Sequence, residues 1–423
     1  MDSDMRQLAI RARTAGRQLA LKPSTARNAT LEDIARRLEQ IDDRLWEANR
    51  ADVELARQDG LVPSLLDRST LNSSRLSAMI AGCRSVAALP DPLGQVFDGA
   101  TMPSGLRLVK KRVPLGVIAA IFESRPNVAV EISTLGIKSG NSVILRGGKE
   151  SLRTNRVLVE VVREACLANG LPADSVQLVT STEHALVPEL LAMDDLIDLV
   201  IPRGRRGLQD LVKQHAKMPV IYGGIGVCHL YVDHTADLQR SIPLINNAKT
   251  QAPSVCNALD TVLVNRAVAQ ALIPMMITDL NASQVKVYCD LDSLAIAQAA
   301  GLAGDLVAEA TEAEFGHEFL SLALSVKIVD SLGEAIEHIA TFGTHHSDGI
   351  LTENYANATR FVDEVDSAAV YVNASTRYTD GGEFGLGAEV AISTQRMHAR
   401  GPVGLQELTT YKWIAQGDYH VRA

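Results

Sequence analysis

The sequence predicts an α/β protein of two domains, each built on a sheet of parallel strands. From residue 116 onward, short apolar segments alternate with stretches of helical periodicity, which is the pattern of consecutive βαβ units. The chain has 423 residues, enough for two or three domains of ordinary size. Hydrophobic residues make up 46% of the chain and charged residues 22%, so we expect a large buried core.

The charge balance and the apolar runs exclude several classes of protein. Lys and Arg number 41 against 50 Asp and Glu, and the formal net charge of −9 argues against a general nucleic-acid binder. Any anionic ligand needs a local basic pocket. No apolar run approaches the roughly 20 residues that cross a bilayer. The first ten residues lack the apolar stretch of a secretory signal, so we expect neither a membrane protein nor a secreted one.

The cysteines indicate a reducing compartment. Five cysteines are dispersed along the chain without a CxxC pair, and an odd, scattered set does not form a disulfide framework. We therefore expect a cytoplasmic protein, in which one thiol can be reactive.

Residues 1 to about 90 are predicted to be helical. Residues 30–33 (TLED) resemble a helix cap, and the apolar residues that follow at helical spacing predict one helix through Arg50. The segment 89–105, rich in Pro and Gly, is predicted to be a loop. The segment 107–113 (RLVKKRV) is predicted to be a basic strand, with Lys110 to Arg112 on a solvated edge.

The first α/β block follows. We predict strands over residues 116–122, 142–146, 175–179 and 197–202, and helices over residues 128–138, 151–169 and 204–215. A second block is predicted from about residue 227, with strands over residues 228–232, 261–264, 285–288, 326–329 and 369–372. A Gly-rich C-terminal segment ends in a predicted strand over residues 408–414.

Polar residues follow the first apolar strand. Open α/β sheets bind ligands at the carboxyl ends of their strands, where residues 122–128 (FESRPNV) lie. Arg125 and Asn127 flank Pro126, and the Asn127 amide can donate to a developing oxyanion. An Asx turn that caps the next helix is an equally good interpretation.

Two further segments are candidate phosphate sites. Residues 146–150 (RGGKE) and 201–207 (IPRGRRG) each combine glycines and cations directly after a predicted strand and before a helix. Either can also be an ordinary strand-to-helix turn. Neither matches a P-loop, and no GxGxxG follows a strand.

Cys256 is the candidate nucleophile. It follows a turn and precedes an apolar strand, and a thiolate near polarised backbone N–H groups is nucleophilic. An inert packing role is the alternative. Cys166, Cys228 and Cys289 are predicted to be core residues. Histidines at 338, 345 and 346 do not form HExxH and GxSxG is absent, so we expect neither a metal site nor a serine hydrolase.

Taken together, these segments resemble the aldehyde dehydrogenase superfamily over nearly the whole chain. Within it, the chain is similar to the branch that reduces L-glutamyl 5-phosphate in proline biosynthesis. The resemblance is carried by residues 122–127 (FESRPN), 254–258 (SVCNA), 329–350, 385–394 (GLGAEVAIST) and 401–405 (GPVGL). It implies an aldehyde-dehydrogenase-like fold with a Rossmann-type cofactor domain, an α/β catalytic domain and a small β oligomerisation flap.

The resemblance implies a cysteine mechanism. Cys256 would attack the acyl phosphate, expel phosphate and form a thioester, which is reduced to L-glutamate 5-semialdehyde. Asn127 matches the oxyanion-hole amide, which acts together with the backbone N–H of Cys256. Arg125 is the nearest candidate cation for the leaving phosphate.

The resemblance also implies NADPH as the cofactor. Arg146 takes the place of a lysine on the adenosine ribose, Lys149 can pair with a 2′-phosphate, and Glu318 matches the carboxylate on the nicotinamide ribose. The remaining cofactor-binding residues carried over are Ser124, Arg125, Pro126 and Gly204.

Domains and partners follow from the same resemblance. We expect a cofactor domain over residues 1–227 and a catalytic domain over residues 228–380. Residues 381–423 are expected to return to the cofactor domain and to the oligomerisation flap. Residues 100–114 and the C-terminal strand would form the flap of a homo-oligomer. A transient complex with glutamate 5-kinase is expected because the acyl phosphate is labile.

Two alternatives remain. A hydrolytic semialdehyde dehydrogenase needs a glutamate that activates water, and the matching segment 222–226 (YGGIG) contains no acid. A catalytically silent scaffold on this fold is the second alternative, against which the presence of Cys256, Asn127 and Glu318 argues.

Overall fold

The chain forms two compact units. The computed structural model describes residues 4–183, 185–204 and 206–422. The first unit contains Met1–Gly223, Gly385–Ala391 and Pro402–Ala423, and the second contains Gly224–Phe384 and Ile392–Gly401. Arg205, one of the arginines in the predicted phosphate segment 201–207, lies outside the described residues.

The first unit begins with helices, as predicted. Their bounds are α1 (Asp4–Leu19), α2 (Ser24–Glu39), α3 (Asp43–Gln58), α4 (Pro63–Ser69) and α5 (Ser73–Ala88). Leu31, Ile34, Ala35 and Leu38 form the fully buried face of α2, at the spacing that one side of a helix requires.

The predicted cap at Thr30 and the single helix through Arg50 are wrong. Helix α2 already starts at Ser24, and Thr30 lies inside it with its hydroxyl donating to the Ala26 carbonyl at 2.9 Å. Threonine can make this bond to the preceding turn, so its presence does not mark a helix start. A new helix begins after Asp42, whose carboxylate accepts from the Arg44 N–H at 3.2 Å.

Strands and helices then alternate through the first unit. Their bounds are β1 (Val96–Thr101), β2 (Arg107–Pro114), β3 (Val117–Phe122), α6 (Asn127–Lys138), β4 (Ser142–Gly147), α7 (Leu152–Ala168), β5 (Val176–Leu178), α8 (Leu186–Leu191), β6 (Leu199–Arg203) and α9 (Arg206–His215). The parallel sheet has the order β5-β4-β3-β6. Every residue of β3 and β4 is buried, as expected for strands covered by helices on both faces.

The second unit is also an α/β unit. Its elements are β7 (Cys228–Val232), α10 (Leu238–Thr250), β8 (Leu259–Asn265), α11 (Arg266–Ala282), β9 (Lys286–Cys289), α12 (Leu291–Ala299), β10 (Val307–Glu309), α13 (Glu312–Phe315), β11 (Ala323–Val329), α14 (Leu332–Phe342), β12 (Ser347–Leu351), α15 (Tyr355–Glu364) and β13 (Ala369–Val372). The strands are parallel, in the order β10-β9-β11-β8-β7-β12-β13.

The C-terminal segment adds β14 (Ile392–Ser393), β15 (Gly401–Pro402) and β16 (Thr409–Gln416). Strand β16 pairs antiparallel with β2 over its full length, which confirms the predicted pairing of the C-terminal strand with the basic strand. The sheet has the order β1-β2-β16.

Two local predictions in this sheet are wrong. The predicted loop 89–105 contains β1, whose alternation is interrupted by a bulge at Asp98, which has φ +49°. Strand β2 is central and not an edge. Lys110 is half-buried there, with its ammonium 4.6 Å from the Tyr411 ring centre and 4.9 Å from that of Trp413.

Among the described residues, no helix is both long and apolar enough to cross a membrane.

Candidate active site

Three turns of the first unit meet at the carboxyl edge of its parallel sheet. Phe122 at the end of β3 pairs with Gly147 on β4 and with Arg203 on β6. The turns that begin at residues 123, 148 and 204 therefore lie side by side, and each leads toward a helix N-terminus. Strand β3 separates β4 from β6 and is the point where strand order reverses, the usual position of a nucleotide in such sheets.

Gly204 leaves room for this arrangement. A Cβ at residue 204 would lie 2.7 Å from Leu208 Cδ2 and 2.9 Å from the carboxyl carbon of Glu123. Any side chain there would displace one of these neighbours. The Gly204 carbonyl accepts from the Gln209 amide at 3.4 Å.

Arg146 is buried at the end of β4. Its guanidinium donates to the carbonyls of Gly147 at 3.1 Å and Thr182 at 3.4 Å. Burial lowers the pKa of Arg146, and the nearby carboxylates of Glu150 and Glu123 oppose that shift. Arg146 is thus a fixed cation at the sheet edge.

Lys149 is exposed and already has a partner. Its ammonium lies 2.6 Å from Asp59 Oδ2, just beyond the end of α3, and this contact raises the pKa of Lys149. The role predicted for Lys149 on a 2′-phosphate would exchange Asp59 for that phosphate.

The β3–α6 turn is held by two acids that the sequence reasoning did not assign. Glu150 Oε1 accepts from the backbone N–H of Ser124 at 2.7 Å and from its hydroxyl at 2.8 Å. Asn127 Nδ2 donates to Glu131 Oε1 at 2.8 Å. An amide nitrogen carries two hydrogens, so this bond leaves the second Asn127 N–H for another acceptor.

The Asx-turn alternative for Asn127 is wrong. Asn127 is the first residue of α6, and Pro126 before it makes no side-chain cap bond. Pro126 is buried and Arg125 is half-buried in the same turn. A proline at the helix start fixes the backbone there without losing a hydrogen bond.

Cys256 lies in the second unit, on the turn between α10 and β8. It is half-buried, whereas the other cysteines are buried, so the predicted core positions of Cys166, Cys228 and Cys289 are confirmed. The carbonyl of Cys256 accepts from Cys228 Sγ at 3.3 Å. A Cβ at residue 226 would lie 1.5 Å from that carbonyl oxygen, so only glycine fits beside the turn.

Asn257 fixes the residue next to Cys256. Its amide donates to the carbonyls of Arg377 at 3.3 Å and Thr379 at 2.8 Å, and its own carbonyl accepts from the Thr376 hydroxyl at 2.7 Å. Arg377 Nε in turn donates to Gln251 Oε1 at 2.8 Å. The sequence contains no periodic signal for these contacts.

Glu318 is connected to the same region. Its Oε1 accepts from the Gly226 N–H at 2.9 Å. Next to it, the Phe319 N–H donates to Asp260 Oδ1 at 3.2 Å, and Asp260 is ion-paired with the buried Lys249 at 3.4 Å. Burial raises the pKa of Asp260 and lowers that of Lys249.

Of the three histidines at 338, 345 and 346, His338 packs among aromatic rings, whereas His345 contacts the Asp366 carbonyl and His346 the Ser347 hydroxyl, each at 2.8 Å. His338 is 4.6 Å from Phe342 and 5.5 Å from Phe315, ring centre to ring centre. Across the part of the chain that the structure describes, no group of three or more His, Cys, Asp or Glu could hold a metal ion.

Comparison with known proteins identifies the family. The model of the aldehyde dehydrogenase family matches residues 2–294. A gamma-glutamyl phosphate reductase from Roseiflexus castenholzii is 51% identical over 423 residues, which is 100% of both chains. This chain belongs to the gamma-glutamyl phosphate reductases of the aldehyde dehydrogenase family. A gamma-glutamyl phosphate reductase from Escherichia coli O127:H6 is also 51% identical, over 99% of this chain and 100% of its own.

Solved structures agree with this membership. The gamma-glutamyl phosphate reductase of Thermotoga maritima is 45% identical with a TM-score of 0.94, and all of both chains is covered. An acetylating aldehyde dehydrogenase from Geobacillus thermoglucosidasius is 17% identical with a TM-score of 0.72 over 99% of this chain, and shares the fold. The predicted aldehyde-dehydrogenase-like fold is confirmed. The family implies a nicotinamide cofactor, while the roles of the individual site residues stay predictions.

Proposed function

We propose that this chain reduces L-glutamyl 5-phosphate to L-glutamate 5-semialdehyde with release of phosphate, the second step of proline biosynthesis from glutamate. Its full-length relatives are named gamma-glutamyl phosphate reductase. The observation that carries the proposal is the turn of Cys256. On this turn the half-buried Cys256 lies against Gly226. The segment that contains Gly226, residues 222–226, has no acid that could activate water.

The residues of the first unit fit a dinucleotide. Gly204 provides a backbone gap, Arg146 a buried cation and helices α6, α7 and α9 three N-termini at one sheet edge. Ser124, Arg125 and Pro126 line the first turn of this edge, and Glu318 is the proposed ribose contact of the second unit. When bound, the reduced nicotinamide supplies the hydride that converts the thioester to the aldehyde.

The chemistry of the chain itself centres on Cys256. Its thiolate forms a bond to the acyl carbon while the C–O bond to phosphate breaks, and this leaves a thioester. The amide of Asn127 and the backbone N–H of Cys256 donate to the oxyanion of the tetrahedral state. After reduction the C–S bond breaks, so the aldehyde leaves and the thiolate is restored.

The thioester is protected from water by the lack of a base. The segment 222–226 contains no carboxylate, and burial raises the pKa of the Tyr222 hydroxyl, a group that is already protonated at neutral pH. The Glu318 carboxylate is bonded to the Gly226 N–H. Without a general base, attack of water on the thioester is slow, and in the reverse reaction the acyl group passes to phosphate instead.

The test is the reverse reaction. L-glutamate 5-semialdehyde and NADP are supplied with and without orthophosphate, and the absorbance of the reduced cofactor is followed. Reduction of NADP should require phosphate. Cys256→Ala should abolish it, and the buried-cysteine control Cys166→Ala should retain it. Equal rates without phosphate would establish a hydrolytic dehydrogenase instead, and no reaction in the native chain would favour the scaffold alternative.

We further propose that Lys149 favours NADPH over NADH. An exposed ammonium at the sheet edge can pair with a 2′-phosphate in place of Asp59. Lys149→Gln should weaken NADPH binding about tenfold and leave NADH binding within about twofold, since one charge-assisted contact is worth roughly that factor. Cofactor fluorescence titration measures both, with Lys213→Gln, on the exposed side of α9, as the control. Equal loss for both cofactors would contradict the assignment.

The proposed setting is the cytoplasm, supported by five thiols outside any disulfide. A homo-oligomer and a transient complex with glutamate 5-kinase belong to the same proposal. The kinase complex is tested by sedimentation of the two proteins together, in which the absence of a faster-moving species during turnover would contradict it.

A further inference from the structure

Glu150 and Ser124 form a hydrogen-bonded contact between two turns of the first unit. One carboxylate oxygen, Oε1, accepts from both the backbone N–H and the hydroxyl of Ser124, at 2.7 and 2.8 Å. Ser124 is only 3% exposed, so this contact is shielded from solvent. A charged acceptor bonded to two donors of one residue is a strong constraint on that residue's backbone.

Ser124 needs such a constraint because its backbone is strained. Its φ is +44°, in the left-handed region that residues with a Cβ rarely adopt. It directly precedes Arg125 and lies three residues before the start of α6 at Asn127. The conformation at Ser124 therefore sets the direction in which the chain enters the turn.

The opposite turn is shaped around the carboxylate. A Cβ at residue 148 would lie 2.2 and 2.3 Å from the two carboxylate oxygens of Glu150. Glycine at this position leaves the space in which the carboxylate reaches across to Ser124. The pairing of Phe122 with Gly147 places the two turns next to each other.

We propose that Glu150 is a positioning residue for the reductase reaction. Its carboxylate holds Ser124 in the left-handed conformation and so directs Arg125 and Asn127 toward the ligands of the site. The inference rests on the proposed function, because the roles of Arg125 and Asn127 come from it. The competing explanation is a local one, in which Glu150 only favours the N-terminal turn before α7 as an acid near a helix start.

A double-mutant cycle separates these explanations. Glu150→Ala should lower kcat/KM for the reverse reaction about thirtyfold, since small misplacements of site groups have effects of this order. In a Ser124→Gly background the same substitution should lower kcat/KM less than about threefold, because glycine adopts positive φ without the hydrogen bonds to Glu150. Glu150→Gln retains an acceptor oxygen, so its kcat/KM should lie between that of the native chain and that of Glu150→Ala. Glu160→Ala, an exposed acid on α7, is the control.

Hydrogen exchange of the cofactor-free protein gives a readout independent of activity. The amides of residues 123–128 should exchange about tenfold faster in Glu150→Ala than in the native chain, and those of α7 should be unchanged. Equal losses of kcat/KM in both backgrounds, or faster exchange confined to α7, would overturn the positioning role. Failure of the proposed function would be seen separately, as a native chain that shows no phosphate-dependent reaction.

Discussion

Cys256 differs from the other cysteines in exposure, and thiol chemistry follows exposure. Burial raises the pKa of Cys83 and Cys289 to about 11 and that of Cys166 to about 12. Burial also raises the pKa of Cys228 well above its ordinary value. At neutral pH these thiols are protonated, and only a thiolate reacts readily.

We therefore expect a stoichiometric amount of iodoacetamide at pH 8 to alkylate Cys256 first. Peptide mapping by mass spectrometry should show this peptide modified at least about tenfold faster than the four buried cysteines, because their thiolate fraction is small. Loss of activity should follow the same time course. Modification of Cys228 at an equal rate would contradict the exposure argument.

His338 is a second residue whose surroundings determine its chemistry. It is 5% exposed among aromatic rings, and burial, with smaller contributions from the neighbouring His229 and Lys327, lowers its pKa to about 3. In the unfolded chain the same group binds a proton below about pH 6.5. The stability that His338 contributes as a neutral ring is thus complete above that pH and declines as the pH falls toward 3.

Between pH 7 and pH 5 this group should account for about 2 kcal/mol of lost unfolding free energy, from 1.36 kcal/mol for each pH unit below the unfolded pKa. His338→Phe, which keeps an aromatic ring beside Phe315 and Phe342, should reduce the acid sensitivity by that amount. Urea unfolding at both pH values measures it, with the exposed His398→Gln as control. An unchanged difference would show that the ring titrates normally.

At the scale of elements, the turn between α10 and β8 depends on its neighbours. Gly226 approaches the Cys256 carbonyl, Asn257 ties the turn to residues 376–379, and Asp260 bonds the N–H groups of Cys228 and Phe319. The buried pair of Lys249 and Asp260 supports this group. Removing one partner of such a buried ion pair typically lowers the free energy of unfolding by about 3–5 kcal/mol.

Gly226→Ala should displace the Cys256 turn, because the added Cβ would lie 1.5 Å from a carbonyl oxygen. We expect kcat/KM to fall at least about a hundredfold, since a shift of about 1 Å in the nucleophile has an effect of this size. Gly82→Ala is the matched control, as its Cβ would have no neighbour within 4 Å. Steady-state kinetics that are unchanged in Gly226→Ala would show that the turn can move without consequence.

At the scale of the whole molecule, the sheet of β1, β2 and β16 exposes aromatic rings. Trp413 is 58% exposed and Tyr411 45%, and both stand two residues apart on one face of β16. Exposed large rings on one strand are typical of surfaces that bind another protein. The role of the flap in a homo-oligomer stays a prediction, and these two rings are the residues on which to test it.

Light scattering should show the native chain above the 45.5 kDa of a single copy, and Trp413→Glu should shift the mass toward that value. A charge at the centre of an aromatic contact must be buried without a partner, which is unfavourable. Tyr355→Glu, on an 86% exposed residue of α15, is the control. A native mass of one copy would contradict the prediction.

Local patterns were sufficient for most elements. The continuous apolar runs of β3 and β4 predict buried parallel strands, and the apolar face of α2 predicts a packed helix. Strand β12 was missed because its first residues, Ser347 and Asp348, are polar. Both are buried and have hydrogen-bond partners there, because Asp348 contacts the backbone N–H and ring of His229, and Ser347 contacts Thr379.

The sequence by itself determined the α/β class, the alternating blocks, the family and the candidate nucleophile, because these depend on short-range periodicity and on motifs read in order. Only the tertiary structure decided which groups hold the site in place. Glu150 reaches Ser124 across 26 residues, and Phe319 reaches Asp260 across 59. Such contacts depend on strand order and register, which bring distant residues together and leave no periodic trace in the chain.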